Sequence, residues 1–149
     1  MGLIDMVESG AINLDLIDSK TLNERAKRIQ AEIDTLNDDI PHQISRKHRL
    51  HAELLQIFGK FMADASHEHW KAEAMWEYKK SQVELDTEGT GVVKKATALI
   101  AAYDLQMIML EKKRDMTRWK YAIDTTSKLI DSIKKEENVL IMEYYNTKN

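Results

Sequence analysis

Residues 92–145, VVKKATALIAAYDLQMIMLEKKRDMTRWKYAIDTTSKLIDSIKKEENVLIMEYY, hold neither proline nor glycine. Unbroken, this stretch would form a helix of roughly 80 Å at 1.5 Å rise per residue. One apolar stripe follows it at steps of three and four: Val93, Ala96, Leu99, Tyr103, Met107 and Leu110, then Met116, Trp119, Ile123, Ile130, Ile133, Leu140 and Tyr144. Thr126 and Glu137 interrupt the later, heptad-like part. A lone helix cannot bury such a stripe, so it requires partner helices from this chain or from another copy.

Working back toward the N-terminus, Asp86-Thr87-Glu88-Gly89-Thr90-Gly91 is the clearest turn. Its glycines can take positive φ, and Thr90 can cap the helix that follows. The turn predicts an antiparallel return onto a second arm, residues 41–85, whose apolar positions Ile44, Leu50, Leu54, Ile57, Phe58, Phe61, Met62 and Ala65 have helical spacing and continue through Trp70, Ala74, Met75, Tyr78 and Val83. Gly59, costing about 1 kcal/mol against alanine, marks a close helix crossing or a weak point. A break is expected at residues 64–68. Pro41 suits the first turn of this arm and forces residue 40 out of the helical region. A first helix over residues 19–37 precedes it, capped by Asp18 or Ser19 and one-sided through Leu22, Ala26, Ile29, Ile33 and Leu36. Residues 1–18 form an arm. The expected fold is all-α: one domain of 149 residues, built of long antiparallel helices as a helical hairpin or small bundle, in an oligomeric assembly. Trp119, Ile123, Ile130, Ile133, Leu140 and Tyr144 are the expected oligomer interface.

One proline and five glycines leave little room for loops, and the absence of cysteine removes disulfides, thiolate catalysis and Cys-ligated metals. No run approaches the roughly 18 apolar residues of a membrane span, and no secretion signal opens the chain, so a soluble, cytoplasmic protein without membrane partners is expected.

Catalytic chemistry finds no foothold in the sequence. His67 and His69 point about 200° apart on a helix, and His48 and His51, although on one face, have arginine and lysine neighbours rather than carboxylates, so solvated or nucleic-acid-facing histidines are expected and no metal. Gly89-Thr90-Gly91 lacks the rest of any phosphate-loop motif. No cofactor and no enzymatic activity are expected.

The net charge is −3, yet cations cluster at Arg46/Lys47/Arg49, Lys79/Lys80, Lys94/Lys95, Lys112/Lys113/Arg114 and Lys134/Lys135. The plainer reading of any one cluster is a solvated helix face. Together, and with Lys71, Lys79 and Lys80 interleaved with Trp70, Trp76 and Tyr78, they fit sequence-tolerant binding of single-stranded nucleic acid, in which cations hold phosphates and aromatic faces stack on bases. Trp70, Ala74 and Tyr78 share a stripe and are expected in the core. Trp76, on another face, is the stacking candidate. The expected nucleic-acid contacts are therefore Arg46, Lys47, Arg49, Lys71, Trp76, Lys79, Lys80, Lys94 and Lys95.

Met1-Gly2-Leu3-Ile4-Asp5, the run from Leu16 to Ala26, Lys71-Ala72 leading to Tyr78, the glycine turn, Lys94/Lys95 and Leu129-Ile130-Asp131-Ser132-Ile133-Lys134 fall in an order that resembles the UvsY-type phage recombination mediators. The resemblance covers most of the chain through short motifs. It implies a ring-forming homo-oligomer in a host cytoplasm that binds single-stranded DNA, contacts a RecA-type recombinase and a single-strand-binding protein, and loads the recombinase onto the coated strand. The family's DNA-contact segment maps onto Lys71, supported by Lys79 and Lys80. Two positions beyond Lys71, where the family pattern has a basic residue, stands Glu73, which leaves Arg46/Lys47/Arg49 as the alternative patch. The rival expectation is an oligomeric helical adaptor or inhibitor that binds only protein.

Overall fold

The computed structural model describes residues 18–148, so all but the last residue of the expected N-terminal arm lies outside the described residues. Among the described residues four helices follow in order: α1 (Ser19–Ile33), α2 (Pro41–Asp86), α3 (Gly91–Ala101) and α4 (Tyr103–Lys148). No strand occurs among the described residues, so the fold is all-α.

Local side-chain chemistry sets the helix starts. Asp18 accepts the Thr21 amide and the Thr21 hydroxyl, each at 2.9 Å, which holds its carboxyl below the usual range. Thr90 accepts the Val93 amide at 3.4 Å, and Gly89 takes φ 124° in the turn before it. α1 stops at Ile33, four residues before the expected end, because the Thr35 hydroxyl and amide both bond the Glu32 carbonyl and tighten the last turn. The connection to Pro41 is closed by the Asn37 side chain, which accepts the Asp39 amide, while Gln43 accepts the Asn37 amide.

Two boundary expectations are corrected. α2 runs unbroken through residues 64–68; that segment contains neither proline nor glycine, and its mild propensity penalties do not outweigh packing. The long C-terminal helix is interrupted at Ala102, which leaves the α region at φ −98°, ψ 7°. Ala98 and Ala102 are fully buried, so side-chain packing rather than a helix breaker sets this joint. Gly59 has open space where a Cβ would sit and marks no close crossing.

The chain divides into two compact units, Met1–Phe61 with Tyr121–Asn149, and Met62–Lys120. α2 carries the chain from the first unit into the second and α4 carries it back. The first unit buries Leu22, Ile29 and Ile33 of α1, Ile44, Leu50, Leu54 and Ile57 of α2, and Ile130 and Ile133 of α4. Each such side chain contributes about 1.5–3 kcal/mol. The two residues that interrupt the stripe of α4 fit here: Thr126 is buried, and Glu137 lies 3.0 Å from His48 Nδ1. In the second unit the buried apolar residues are Ala72, Ala98, Ala102 and Met109.

Candidate nucleic-acid interface

Ion pairing separates spent cations from free ones. Arg46 is held by Glu32 at 2.9 and 3.3 Å, a fork geometry that raises its already high pKa. Lys47 pairs with Asp38 at 2.8 Å. Arg46/Lys47/Arg49 is therefore no open triplet; only Arg49 is without an ion pair among the described residues. Lys80 pairs with Glu77 at 3.2 Å and lies over the Trp76 ring at 3.8 Å. It also stands nine positions from Lys71, on the opposite side of α2. Lys71 and Lys80 do not share a site. Lys79 is half-buried, as is Lys94 of α3, while Lys95 is exposed.

The aromatic assignment is reversed. Trp70 and Tyr78, expected in the core, are 64% and 70% exposed, and Ala74 between them is exposed too. Trp76, expected to stack on bases, is half-buried, with its indole nitrogen enclosed and one face taken by Lys80. In the second unit the inward side of α2 passes through His69, Ala72 and Trp76 instead.

Within that unit, Glu68, Lys71, Ala72 and Met75 of α2 and Leu105, Ile108 and Lys112 of α4 line a groove of about 120 Å³. Its lining is mostly apolar, and Lys71 and Lys112, which form no ion pair among the described residues, stand at it together with the carboxylate of Glu68. Tyr78 follows Lys71 by seven positions and Met75 by three, which places it on the groove side of α2. Such an arrangement can hold phosphate oxygens on the two ammonium groups beside an exposed aromatic face. Lys112, absent from the expected contacts, belongs to this group; its signal in the sequence was the cluster Lys112/Lys113/Arg114.

Two histidine expectations are corrected. His51 is buried, and burial, then the positive field of Lys47 and His48, pushes its pKa down. His69 is buried and lies 3.7 Å from Glu73. Both are poorly placed to meet solvent or a strand, and no group of carboxylates and imidazoles suited to a metal occurs among the described residues. Of the expected oligomer interface, Ile130 and Ile133 are spent in the first unit's own core, Trp119, Ile123 and Leu140 are half-buried, and Tyr144 stays exposed. No helix of the described residues is long and apolar enough to cross a membrane.

The chain matches no protein-family model, no curated protein and no solved structure.

Proposed function

We propose that this protein is a non-enzymatic, self-associating helical mediator of recombination that binds single-stranded DNA and helps load a RecA-type recombinase onto strands coated by single-strand-binding protein. The observation that carries the reading is the placement of Lys71 and Lys112 at one groove with Tyr78 exposed on the same side of α2. Cations without counter-ions supply the salt-sensitive part of the affinity, and exposed aromatic faces supply stacking that tolerates any base. The recombination context comes from the order of short motifs that resembles the mediator family. Self-association multiplies these modest contacts along one strand, so that linked weak sites hold it and loosen the coating protein.

A titration of a fluorescent oligothymidylate tests the reading. Affinity falls steeply with salt for the wild type, and the Lys71→Gln/Lys112→Gln variant binds at least several-fold more weakly. Binding that is absent, or insensitive to salt, overturns it. Loading is then read as recombinase ATP hydrolysis on a coated strand, with and without this protein.

The adaptor reading draws on a separate observation: Leu85, Val92, Ile100 and Tyr103 are exposed in a unit whose buried apolar residues are three alanines and a methionine. Exposed apolar side chains that gather into a patch mark protein contacts. Light scattering after size exclusion separates the two readings when combined with the titration, because the adaptor self-associates without binding the oligonucleotide.

A further inference from the structure

The second unit leaves uncovered the outward side of α3 and of the start of α4. Val92, Ala96, Leu99, Tyr103, Met107 and Leu110 recur there at steps of three and four, and all are exposed. The buried residues of the same stretch are Ala98, Ala102 and Met109. At 100° per residue Ala96 stands about 160° from Ala98, and Met107 the same from Met109, so the apolar stripe points away from the unit's own core. Val93 and Ile100, also exposed, widen it. The joint at Ala102 does not divide it, because the Ala102 amide still bonds the Ala98 carbonyl and the Gln106 amide bonds the Ala102 carbonyl, each at 3.0 Å. Lys95 borders one edge of the stripe; Asp104 and Glu111 border the other.

Together these side chains expose on the order of 700 Å², above the roughly 300–600 Å² of the largest patch on an ordinary monomer and close to the roughly 800 Å² that each partner gives to a standard-sized interface. The two ends of the stripe carry opposite charge. Asp86 and Glu88 precede it, in a turn where a Cβ on Gly89 would sit 3.4 Å from Val93. Arg114, four positions beyond Leu110 and on its side of α4, follows it. All three are exposed and form no ion pair among the described residues.

We infer that this face is where a second copy of the chain docks, antiparallel, about a two-fold axis near residue 101. Such an axis sets Val92 against Leu110 of the partner subunit and Leu99 against Tyr103 of the partner subunit, apolar on apolar. It also brings Glu88 to Arg114 of the partner subunit at both ends of the seam. A parallel pair would set arginine against arginine instead. A patch that meets itself in this way closes as a two-fold contact and does not propagate. The inference rests on the self-association proposed above and gives it a surface, one that differs from the expected interface, whose Ile130 and Ile133 are already buried within a single chain.

The test is light scattering of the full chain after size exclusion, over a range of concentrations. The wild type is expected as a dimer or an assembly built of dimers. Leu99→Glu/Tyr103→Glu gathers four carboxylates across the seam of a pair and raises the dissociation constant at least tenfold. Should that variant lose its helix by circular dichroism, a charge swap leaves the apolar stripe intact and stands in. Glu88→Arg alone weakens the pair severalfold, and adding Arg114→Glu restores it, because each reversed charge again meets its opposite in the other copy. Within one chain the two positions lie roughly 30 Å apart along the helix axis, several screening lengths at about 0.1 M salt, so the rescue cannot act inside a monomer. Wild-type association in a folded Leu99→Glu/Tyr103→Glu variant, an odd number of subunits, or a Glu88→Arg defect that Arg114→Glu does not repair overturns this face while leaving self-association intact. A wild type that stays monomeric overturns both, and the stripe is then left to a different protein.

Discussion

The guanidinium of Arg25 donates to the carboxylate of Glu53 at 2.9 Å, and that carboxylate is 1% exposed while the arginine side chain is 37% exposed. A partly wetted cation on α1 thus answers a buried anion on α2, twenty-eight positions away. The pair registers the two helices of the first unit.

Removing the cation strands the anion. Arg25→Ala is expected to destabilise by on the order of 2 kcal/mol, below the roughly 3–5 kcal/mol of fully buried pairs because Arg25 is partly solvated. Arg25→Met with Glu53→Leu should recover most of the loss. Urea denaturation of the single and double variants checks this; a single variant with wild-type stability would contradict it.

Gly59 lies inside α2 with nothing near the position of a Cβ. Gly59→Ala should raise stability by about 0.5–1 kcal/mol, through helix propensity and a less flexible unfolded chain. Thermal unfolding reads the gain as a Tm increase of a few degrees, and no increase would show that the glycine serves another purpose.

His51 is buried with its Nδ1 unpartnered, and its pKa is lowered in the fold. The unfolded chain therefore binds a proton at this residue in a pH window where the native chain does not, and stability rises with pH across that window. The contribution is complete above the ordinary value of 6.5 and is lost as pH falls from there toward the lowered native value. His51→Gln should flatten the dependence of Tm on pH below about 6.5. An unchanged profile would place the acid sensitivity elsewhere.

If the exposed indole meets bases, Trp70→Ala should weaken oligothymidylate binding by about 1–3 kcal/mol with little change in the salt slope, because stacking carries no counter-ion release. Intrinsic fluorescence gives a second readout: strand-induced quenching should be lost in Trp70→Ala and kept in Trp76→Phe. Equal quenching in both variants would remove Trp70 from the interface.

Helix starts were legible because their causes are local: the Asp18 cap, the Thr90 cap and Pro41 each act within one turn. The end of α1 and the joint at Ala102 were not, since one depends on the Thr35 hydroxyl taking the Glu32 carbonyl and the other on how two alanines pack. Periodicity located a stripe on α2 but pointed the largest apolar residues inward, the usual disposition; past Phe61 the inward side belongs to His69, Ala72 and Trp76, and Trp70 and Tyr78 turn out. The opposition of Lys71 and Lys80 follows from nine positions at 100° each and was open to arithmetic. The spending of Arg46 and Lys47 on Glu32 and Asp38 was not, because those carboxylates belong to α1 and the connection after it.

The buried alanines of the second unit bear on time as well as on contact. Ala72, Ala98 and Ala102 give up little apolar area when exposed, so the backbone amides of residues 62–120 should exchange with deuterium before those of the first unit, whose isoleucines and leucines anchor the slowest-opening part of the chain. A strand or a second copy that engages the exposed faces of this unit would order it in the same step, and part of the binding free energy would be recorded as amide protection rather than as affinity.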